Sequence, residues 1–542
     1  MAHPLAGQAA QADQLVNLPR LLADYYTAEI KAPVAFGTSG HRGSASKGSF
    51  NDLHVAAVTQ AVLEYRRAQG HGGPLFLGYD THGLSEAAFR SALEVLAAGE
   101  VPTVIHQNGE YTPTPVVSWL IIDHNLRHPG ALADGLIITP SHNPPADGGL
   151  KYNPPHGGPA DVEVTGWIEK RAGQLMAEPG LIKRRPYYRA AKAPGLQTRD
   201  FIRPFAKALG EVVDLPAIKA AGLKLAADPL GGSGVHFWGP IAEEWGLNLT
   251  VVNKVVDASF SFMALDSDGI IRMDCSSPYA MAKLIKIGGD FDLAFGNDPD
   301  FDRHGIVSGG ELMNPNHYLA VAVDYLLNHR PDWPGAARAG KTLVSSSIID
   351  RVVRAAGREV YETPVGFKWF VEGLSNGGLL FGGEESAGAS FLKRNGTVWT
   401  TDKDGFCMAL LAAEIMAVTG RSPHERYEEL SARHGRSDYG RLDTDISDRE
   451  KEILKKIDPA RFVGAACAGQ KITGAFTRAP GNNEAIGGLK VVLEDGSWFA
   501  LRPSGTEPKL KLYAESFSGP ATWKKMTEQA PALVFGPKSP EL

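Results

Sequence analysis

From residue 74 onward, short apolar runs alternate with amphipathic stretches: PLFLGYD (74–80), SEAAFRSALEVLAA (85–98), VPTVIH (101–106) and DGLIIT (134–139). A strand, a helix-length stretch and another strand in succession pack as βαβ units, so the rhythm predicts a mainly parallel sheet covered by helices. It returns in LKLAADPLGGSG (223–234), FDLAFGNDPD (291–300), KTLVSSSII (341–349) and GLLFGGEESAG (378–388). Each run ends in a Gly-, Pro- or Asp-rich segment, which is where open α/β sheets bind ligands. The end of the chain reads differently: KITGAFTR, LKVVLEDG, SWFALRPSG and KLKLYAES are short strands between turns, followed by one helical stretch, ATWKKMTEQAPALV. That pattern predicts a smaller α+β domain.

At 542 residues and roughly 150 residues per domain, three to four domains are expected. Polar, Pro-containing or charged segments at 183–204, 308–318 and 433–460 place the boundaries. The division read from them is an N-terminal extension (1–35), three α/β domains (36–200, 201–310 and 311–435) and a C-terminal domain (436–542). With 55 Lys plus Arg against 61 Asp plus Glu, the net charge is −6. No overall basic field therefore points to nucleic acid or an anionic membrane, and an anionic ligand must be held locally. The three cysteines lie far apart in no CxxC pair, which argues against disulfides and structural zinc. With no signal-peptide pattern and no 18-residue apolar run, a cytoplasmic protein without membrane association is expected.

The densest chemical signal is Gly296-Asn297-Asp298-Pro299-Asp300-Phe301-Asp302-Arg303, directly after FDLAF. In an extended chain alternate side chains share a face, so Asp298, Asp300 and Asp302 are expected to converge. Three converging carboxylates repel one another unless a cation lies among them, and a hard-oxygen set of this size suits Mg²⁺. An EF-hand fits poorly, with Arg303 and Gly309 where that loop needs Gly and Glu. The bland alternative is a solvated acidic turn.

A second signal is Thr139-Pro140-Ser141-His142-Asn143-Pro144-Pro145. The two prolines forbid a helix and present Ser141 on a rigid loop at a strand's carboxyl end. Adjacent side chains in an extended segment diverge, so His142 is not expected to act as a triad base to Ser141. A third is Arg502-Pro503-Ser504-Gly505-Thr506-Glu507-Pro508-Lys509, whose arginine, hydroxyls and glycine-freed amides suit a phosphate. Gly37-Thr38-Ser39-Gly40-His41-Arg42-Gly43 has similar chemistry. Gly383-Glu384-Glu385-Ser386-Ala387-Gly388 offers acceptors for sugar hydroxyls. Each of these also reads as an ordinary turn.

Two tempting patterns are set aside. The P-loop match Gly335 to Thr342 follows RPDWP and precedes the strand-like TLVSSSII, whereas a P-loop needs a strand before it and a helix after it. The esterase-like Gly373-Leu374-Ser375-Asn376-Gly377 follows the amphipathic KWFVEGL where a strand is required.

TPSHNPP, GNDPDFDRHG, GGEESAG and RPSGTEPK, in this order, resemble the α-D-phosphohexomutase superfamily from about residue 36 to about 515. The resemblance implies three tandem α/β domains with mixed, mainly parallel sheets and a smaller C-terminal α+β domain around a central cleft. It implies that Ser141 carries the transferable phosphoryl group and that Asp298, Asp300 and Asp302, with the serine oxygen, hold one Mg²⁺ per chain. Arg42 and Arg303 would stabilise the moving phosphoryl, and Glu384, Ser386 and the loop at Gly366 would bind the sugar. Lys403 matches a proposed general base, with His142 the other nitrogen available. Arg502, Ser504, Gly505, Thr506 and Lys509 would hold the phosphate that is not reacting. The implied reaction interconverts glucose 1-phosphate and glucose 6-phosphate through glucose 1,6-bisphosphate, which serves as intermediate and activator. The paired glutamates and Pro140 favour glucose over mannose phosphates. A metal-dependent sugar phosphatase and a silent sugar-phosphate sensor are the competing readings, and a homodimer is compatible with the sequence.

Overall fold

The computed structural model describes residues 3–37, 40–503 and 509–536. Among them lie four sheets in chain order. The first has the order Phe36–Gly37, Gly40–Ser44, Asp147–Asn153, Asp134–Ile138, Leu75–Tyr79, Thr103–His106, Leu196–Arg199. Its last four strands are parallel and the returning Asp147–Asn153 is antiparallel. The second sheet centres on the parallel pair Leu225–Asp228 and Leu293–Gly296, and the third on Arg338–Thr342 between Val360–Thr363 and Leu379–Glu384. The fourth is antiparallel, from Asp438–Asp445 through Lys509–Ser516, Trp498–Pro503, Ala485–Leu493 and Gln470–Arg478 to Ala466–Cys467. The expected fold class, three α/β units with mixed sheets and an α+β unit, is the one observed.

Two local expectations change. The apolar run 341–349 is strand only to Thr342; the helix Ile348–Ala355 follows, with a serine-rich turn between. The charged stretch 433–460 is not a bare linker. It contains the edge strand Asp438–Asp445 and the helix Asp448–Lys455, capped by Ser447, whose hydroxyl accepts from Glu450 N. Charges along an exposed edge strand block further pairing, which is why a strand can look like a spacer.

The helix Gly405–Thr419 links the units. Its residues from Gly405 to Ile415 are all buried, so it is hydrophobic all round. Phe406 packs against Phe205, Phe237, Trp238 and Phe301, with ring centroids 4.6–5.8 Å apart. One continuous core therefore runs from Phe76 and Trp119 through Trp238 and Phe295 to Phe381. No single helix among the described residues is long and apolar enough to cross a membrane. Gly405–Thr419 with Pro423–His434 passes as a bent pair by composition, but its apolar length lies inside this core. All three cysteines are buried and free.

The N-terminal segment straps two units together. Residues 3–9 run against 264–267 through His3 N to Ser267 O, Gly7 N to Leu265 O, Leu265 N to Gln8 O and an Ala9–Ala264 bridge. Leu5, Ala10 and Leu15 pack on the cluster that contains Leu265, Ile271 and Met273. The helix Leu18–Thr27 then lies on the first unit, burying Leu21 and Tyr25, whose hydroxyl bonds Ser91.

Candidate active site

The strand Asp134–Ile138 delivers Ser141 into the space between the first two units. Ser141 is 1% exposed and adopts φ +61°, a left-handed conformation that costs an L-residue about 1–2 kcal/mol. Its Oγ donates to Asp298 Oδ2 at 2.9 Å, and its backbone N donates to Thr139 Oγ1 at 2.8 Å. The left-handed turn also changes one expectation. Ser141 Oγ and His142 Nδ1 lie 3.3 Å apart, because the chain is not extended there and the adjacent side chains meet. Burial, and then the positive charge of Arg303, lowers His142 to about 3, so the ring is neutral.

Asp298, Asp300 and Asp302 follow the strand Leu293–Gly296, and one oxygen of each lies within 4.8 Å of the others. They converge as expected but for another reason. The backbone turns, with Phe301 N donating to Asp298 O at 2.9 Å and Phe301 at φ +61°, so strand alternation is not what gathers them. Phe301 stacks on Phe406 and its carbonyl accepts from Gly405 N, which seats the loop on the start of the buried helix.

Cations surround this triad. Lys151 Nζ lies 2.6 Å from Asp300 Oδ2 and 2.9 Å from Asp302 Oδ2, and Lys403 Nζ lies 3.0 Å from Asp302 Oδ2. Arg303 Nε stands 3.9 Å from both Asp298 and Asp302. Burial raises Asp298 well above the usual carboxylate range, and Asp300 and Asp302 add to it. Burial alone would do the same to Asp302, but Lys151, Lys403 and Arg303 outweigh it and hold that carboxyl low. Asp300 Oδ1 and Asp302 Oδ1 are buried without a hydrogen-bond partner. Hard oxygens left unpaired beside the serine hydroxyl fit a divalent cation.

The remaining expected residues gather partly here. Arg42, on Gly40–Ser44, donates to Asn143 Oδ1 at 3.2 Å. Glu384 ends the strand Leu379–Glu384 and accepts from Gly366 N at 3.1 Å, which joins the two sugar-loop candidates. Burial first, opposed by Lys403, raises Glu384 to about 7. Ser386 lies in the turn that follows. Lys403 crosses Gly388 so closely that a Cβ there would meet its Cδ at 2.3 Å. Arg502 sits on the strand Trp498–Pro503, its Nε on Ile486 O, and Lys509 Nζ meets Asp445 at 2.7 Å. Ser504, Gly505 and Thr506, like Thr38 and Ser39, lie outside the described residues. The two patterns set aside hold no site: Lys341 of the P-loop match pairs with Asp350 and Glu362, and Ser375 sits within the helix Val371–Asn376.

Sequence reasoning missed Lys151, Thr114 and Asp274. Thr114 Oγ1 donates to Asp300 Oδ2 at 2.7 Å, and Asp274 Oδ2 lies 3.8 Å from Arg303 and 4.0 Å from His142. A lysine between Leu150 and Tyr152 in the strand DGGLKYN was the available signal.

Phosphoryl transfer requires neutralised charge and fixed geometry more than covalent help, and this cluster of acids and cations around one serine provides both. By class the molecule is a phosphoryl-transfer enzyme. Family models described as phosphoglucomutase/phosphomannomutase alpha/beta/alpha domains I, II and III match residues 33–178, 203–310 and 314–434. The C-terminal domain model of the same family matches 455–528. The chain belongs to the phosphoglucomutase/phosphomannomutase family. It is 53% identical to a phosphoglucomutase of Komagataeibacter xylinus over 97% of this chain and 96% of that protein. It is 27% identical to phosphoglucomutase 1 of Drosophila melanogaster over 89% and 90%. Its fold matches the open form of the Paramecium phosphoglucomutase parafusin with TM-score 0.74 at 20% identity, covering 95% of this chain and 98% of that one.

Proposed function

We propose that the enzyme is a phosphoglucomutase that interconverts α-D-glucose 1-phosphate and glucose 6-phosphate through a phosphoserine at Ser141. The observation that carries this is the buried Ser141 hydroxyl on Asp298 Oδ2, beside a triad with unpaired oxygens. Asp298, Asp300, Asp302 and the serine oxygen would hold one Mg²⁺, which when bound offsets charge on the transferring phosphoryl group. Arg303, beside Asp298 and Asp302, and Arg42, bonded to Asn143, would orient that group.

The reaction is a pair of transfers. The bond from phosphorus to Ser141 Oγ breaks as one forms to the C6 hydroxyl oxygen of glucose 1-phosphate, which loses its proton, giving glucose 1,6-bisphosphate. The bisphosphate turns over, and its other phosphoryl group returns to Ser141 to leave glucose 6-phosphate. Lys403 and His142 are the two candidate nitrogens for the hydroxyl proton; Asp302, Asp402 and Glu384 outweigh burial and keep Lys403 an ammonium, so the neutral His142 is the one with a lone pair to accept it. Glu384, Ser386 and Gly366 contact the sugar, while Arg502, Ser504, Gly505, Thr506 and Lys509 retain the distal phosphate. Each transfer then occurs in a site that grips both ends of one sugar. The domain division at 36–200, 201–310, 311–435 and 436–542 assigns one loop of the site to each part, with the C-terminal domain closing on the bisphosphate.

Turnover of glucose 1-phosphate with Mg²⁺ and a trace of glucose 1,6-bisphosphate, wild type against Ser141→Ala, tests this reading. Activity absent from the variant is expected; a fully active variant refutes the phosphoserine route. Inorganic phosphate released in step with substrate loss would instead make the enzyme a phosphatase, and faster conversion of mannose 6-phosphate would change the sugar.

A further inference from the structure

Ser141 is held in its left-handed conformation from two sides by a buried pair that the reaction does not touch. Asp80 directly follows the strand Leu75–Tyr79. Its Oδ2 accepts from Thr139 Oγ1 at 2.6 Å, and the same Thr139 oxygen accepts from Ser141 N at 2.8 Å. Asp80 Oδ1 accepts from Ser85 Oγ at 2.6 Å and from His82 N at 3.0 Å. His82 Nδ1 lies 2.8 Å from Asp80 Oδ2, and His82 Nε2 lies 3.0 Å from the carbonyl oxygen of Asn143. Both ring nitrogens face acceptors, so the ring donates at both ends, which only the imidazolium can do. The side chains of Asp80 and His82 are fully buried, and Phe260 lies against the imidazole at 5.1 Å.

We infer that Asp80 and His82 are positioning residues for the phosphoserine loop, clamping residue 139 on one side and residue 143 on the other so that Ser141 Oγ stays aimed at Asp298. The physical need is specific. A left-handed non-glycine residue persists only where its surroundings over-determine it, and these two contacts straddle the strained position. The imidazolium and carboxylate satisfy each other, so the clamp introduces no unpaired charge beside the triad. Neither residue bonds a group assigned to the sugar or its distal phosphate, so the clamp governs the reactivity of Ser141 and leaves substrate affinity alone.

This inference rests on the mutase reading, and the test separates the two. The kinetics of glucose 1-phosphate turnover and the rate of Ser141 phosphorylation by glucose 1,6-bisphosphate, followed by intact mass, are measured for wild type, His82→Gln, His82→Ala and Thr139→Val. A misplacement of about 1 Å costs on the order of 10²-fold in rate. The expected result is a fall in kcat and in phosphorylation rate of roughly 10- to 100-fold for His82→Ala and Thr139→Val. His82→Gln, which keeps a donor for the Asn143 carbonyl, lies between them and wild type, and KM stays within about twofold. Thr139→Val keeps the β-branched shape, so it reports on the clamp even if His82→Ala does not fold. Unchanged kcat in Thr139→Val and His82→Gln, or a loss confined to KM, overturns the clamp. An inactive wild type overturns the mutase reading instead.

Discussion

Asp300 and Asp302 share the ammonium of Lys151, whereas Asp298 faces the serine hydroxyl and the edge of Arg303. Burial with like charge nearby makes its ionised form costly, so Asp298 is a stability burden retained for chemistry. Asp298→Asn is accordingly expected to cut turnover on the order of 10²- to 10³-fold while leaving thermal unfolding in chelator unchanged or shifted upward. A clear drop in melting temperature would contradict this. Glu384 gives a pH test. Its carboxyl, raised to about 7 by burial against the pull of Lys403, is neutral below that pH and anionic above it, and the anion is the better acceptor for sugar hydroxyls. In wild type kcat/KM should therefore rise between pH 6 and 8 through an apparent pKa near 7, and Glu384→Gln should remove that limb. What the sequence announced at this scale was residue type: acids, a serine, arginines and a pair of prolines. It could not announce backbone dihedrals. The left-handed Ser141 and Phe301 decide that His142 reaches the serine and that the acids gather in a turn, and nothing in the identity of either residue signals φ above zero. Lys151 stayed hidden because one lysine in a short strand looks like an edge position until its carboxylate partners, about 150 residues away, are placed.

The elements divide by how local their causes are. The helix Ser85–Ala98 and the strand Lys509–Ser516 were readable to the residue, because 3.6-fold and twofold apolar patterns are local. The strand Asp438–Asp445 was not, since its outward charges serve to protect an edge and its pairing partner lies about 70 residues on. The helix Gly405–Thr419 gives the strongest stability prediction. Leu411 is fully buried in it, so Leu411→Ala should lower the unfolding free energy by about 2–5 kcal/mol, readable in urea titration. Because this helix also seats Phe301, turnover should fall with it. Full activity at a lowered midpoint would show that the acid loop does not depend on the helix for its position.

At the scale of the molecule, the C-terminal unit docks on the third through buried polar contacts. Glu515, fixed within its own unit by Trp498 Nε1, accepts from Ser347 N at 2.7 Å, and Lys490 bonds Leu343 O at 2.7 Å and Glu362 at 2.8 Å. Beside them a crevice of about 490 Å³ opens between the two, lined in part by His317, Tyr427, Arg436 and Trp523. A seam with anchored contacts on one side and space on the other suits a rotation that brings Arg502 and Lys509 toward the site. Adding glucose 1,6-bisphosphate should reduce the radius of gyration in solution scattering, and an unchanged profile would count against closure by this unit.

The strap that runs from residue 3 to residue 15 makes its contacts with residues 264–273, so this segment is synthesised well before its docking surface. Until residues 264–273 have been synthesised, Leu5, Ala10 and Leu15 lack the apolar cluster they pack on. Long-range closure of this kind slows folding, and it orders it as well: the first unit can form around Leu21 and Tyr25, but the join to the second is sealed only after that unit has folded. Met273, in the cluster that the strap packs on, also donates its N–H to the His142 carbonyl, so the late-docking strap and the reactive loop share one neighbour.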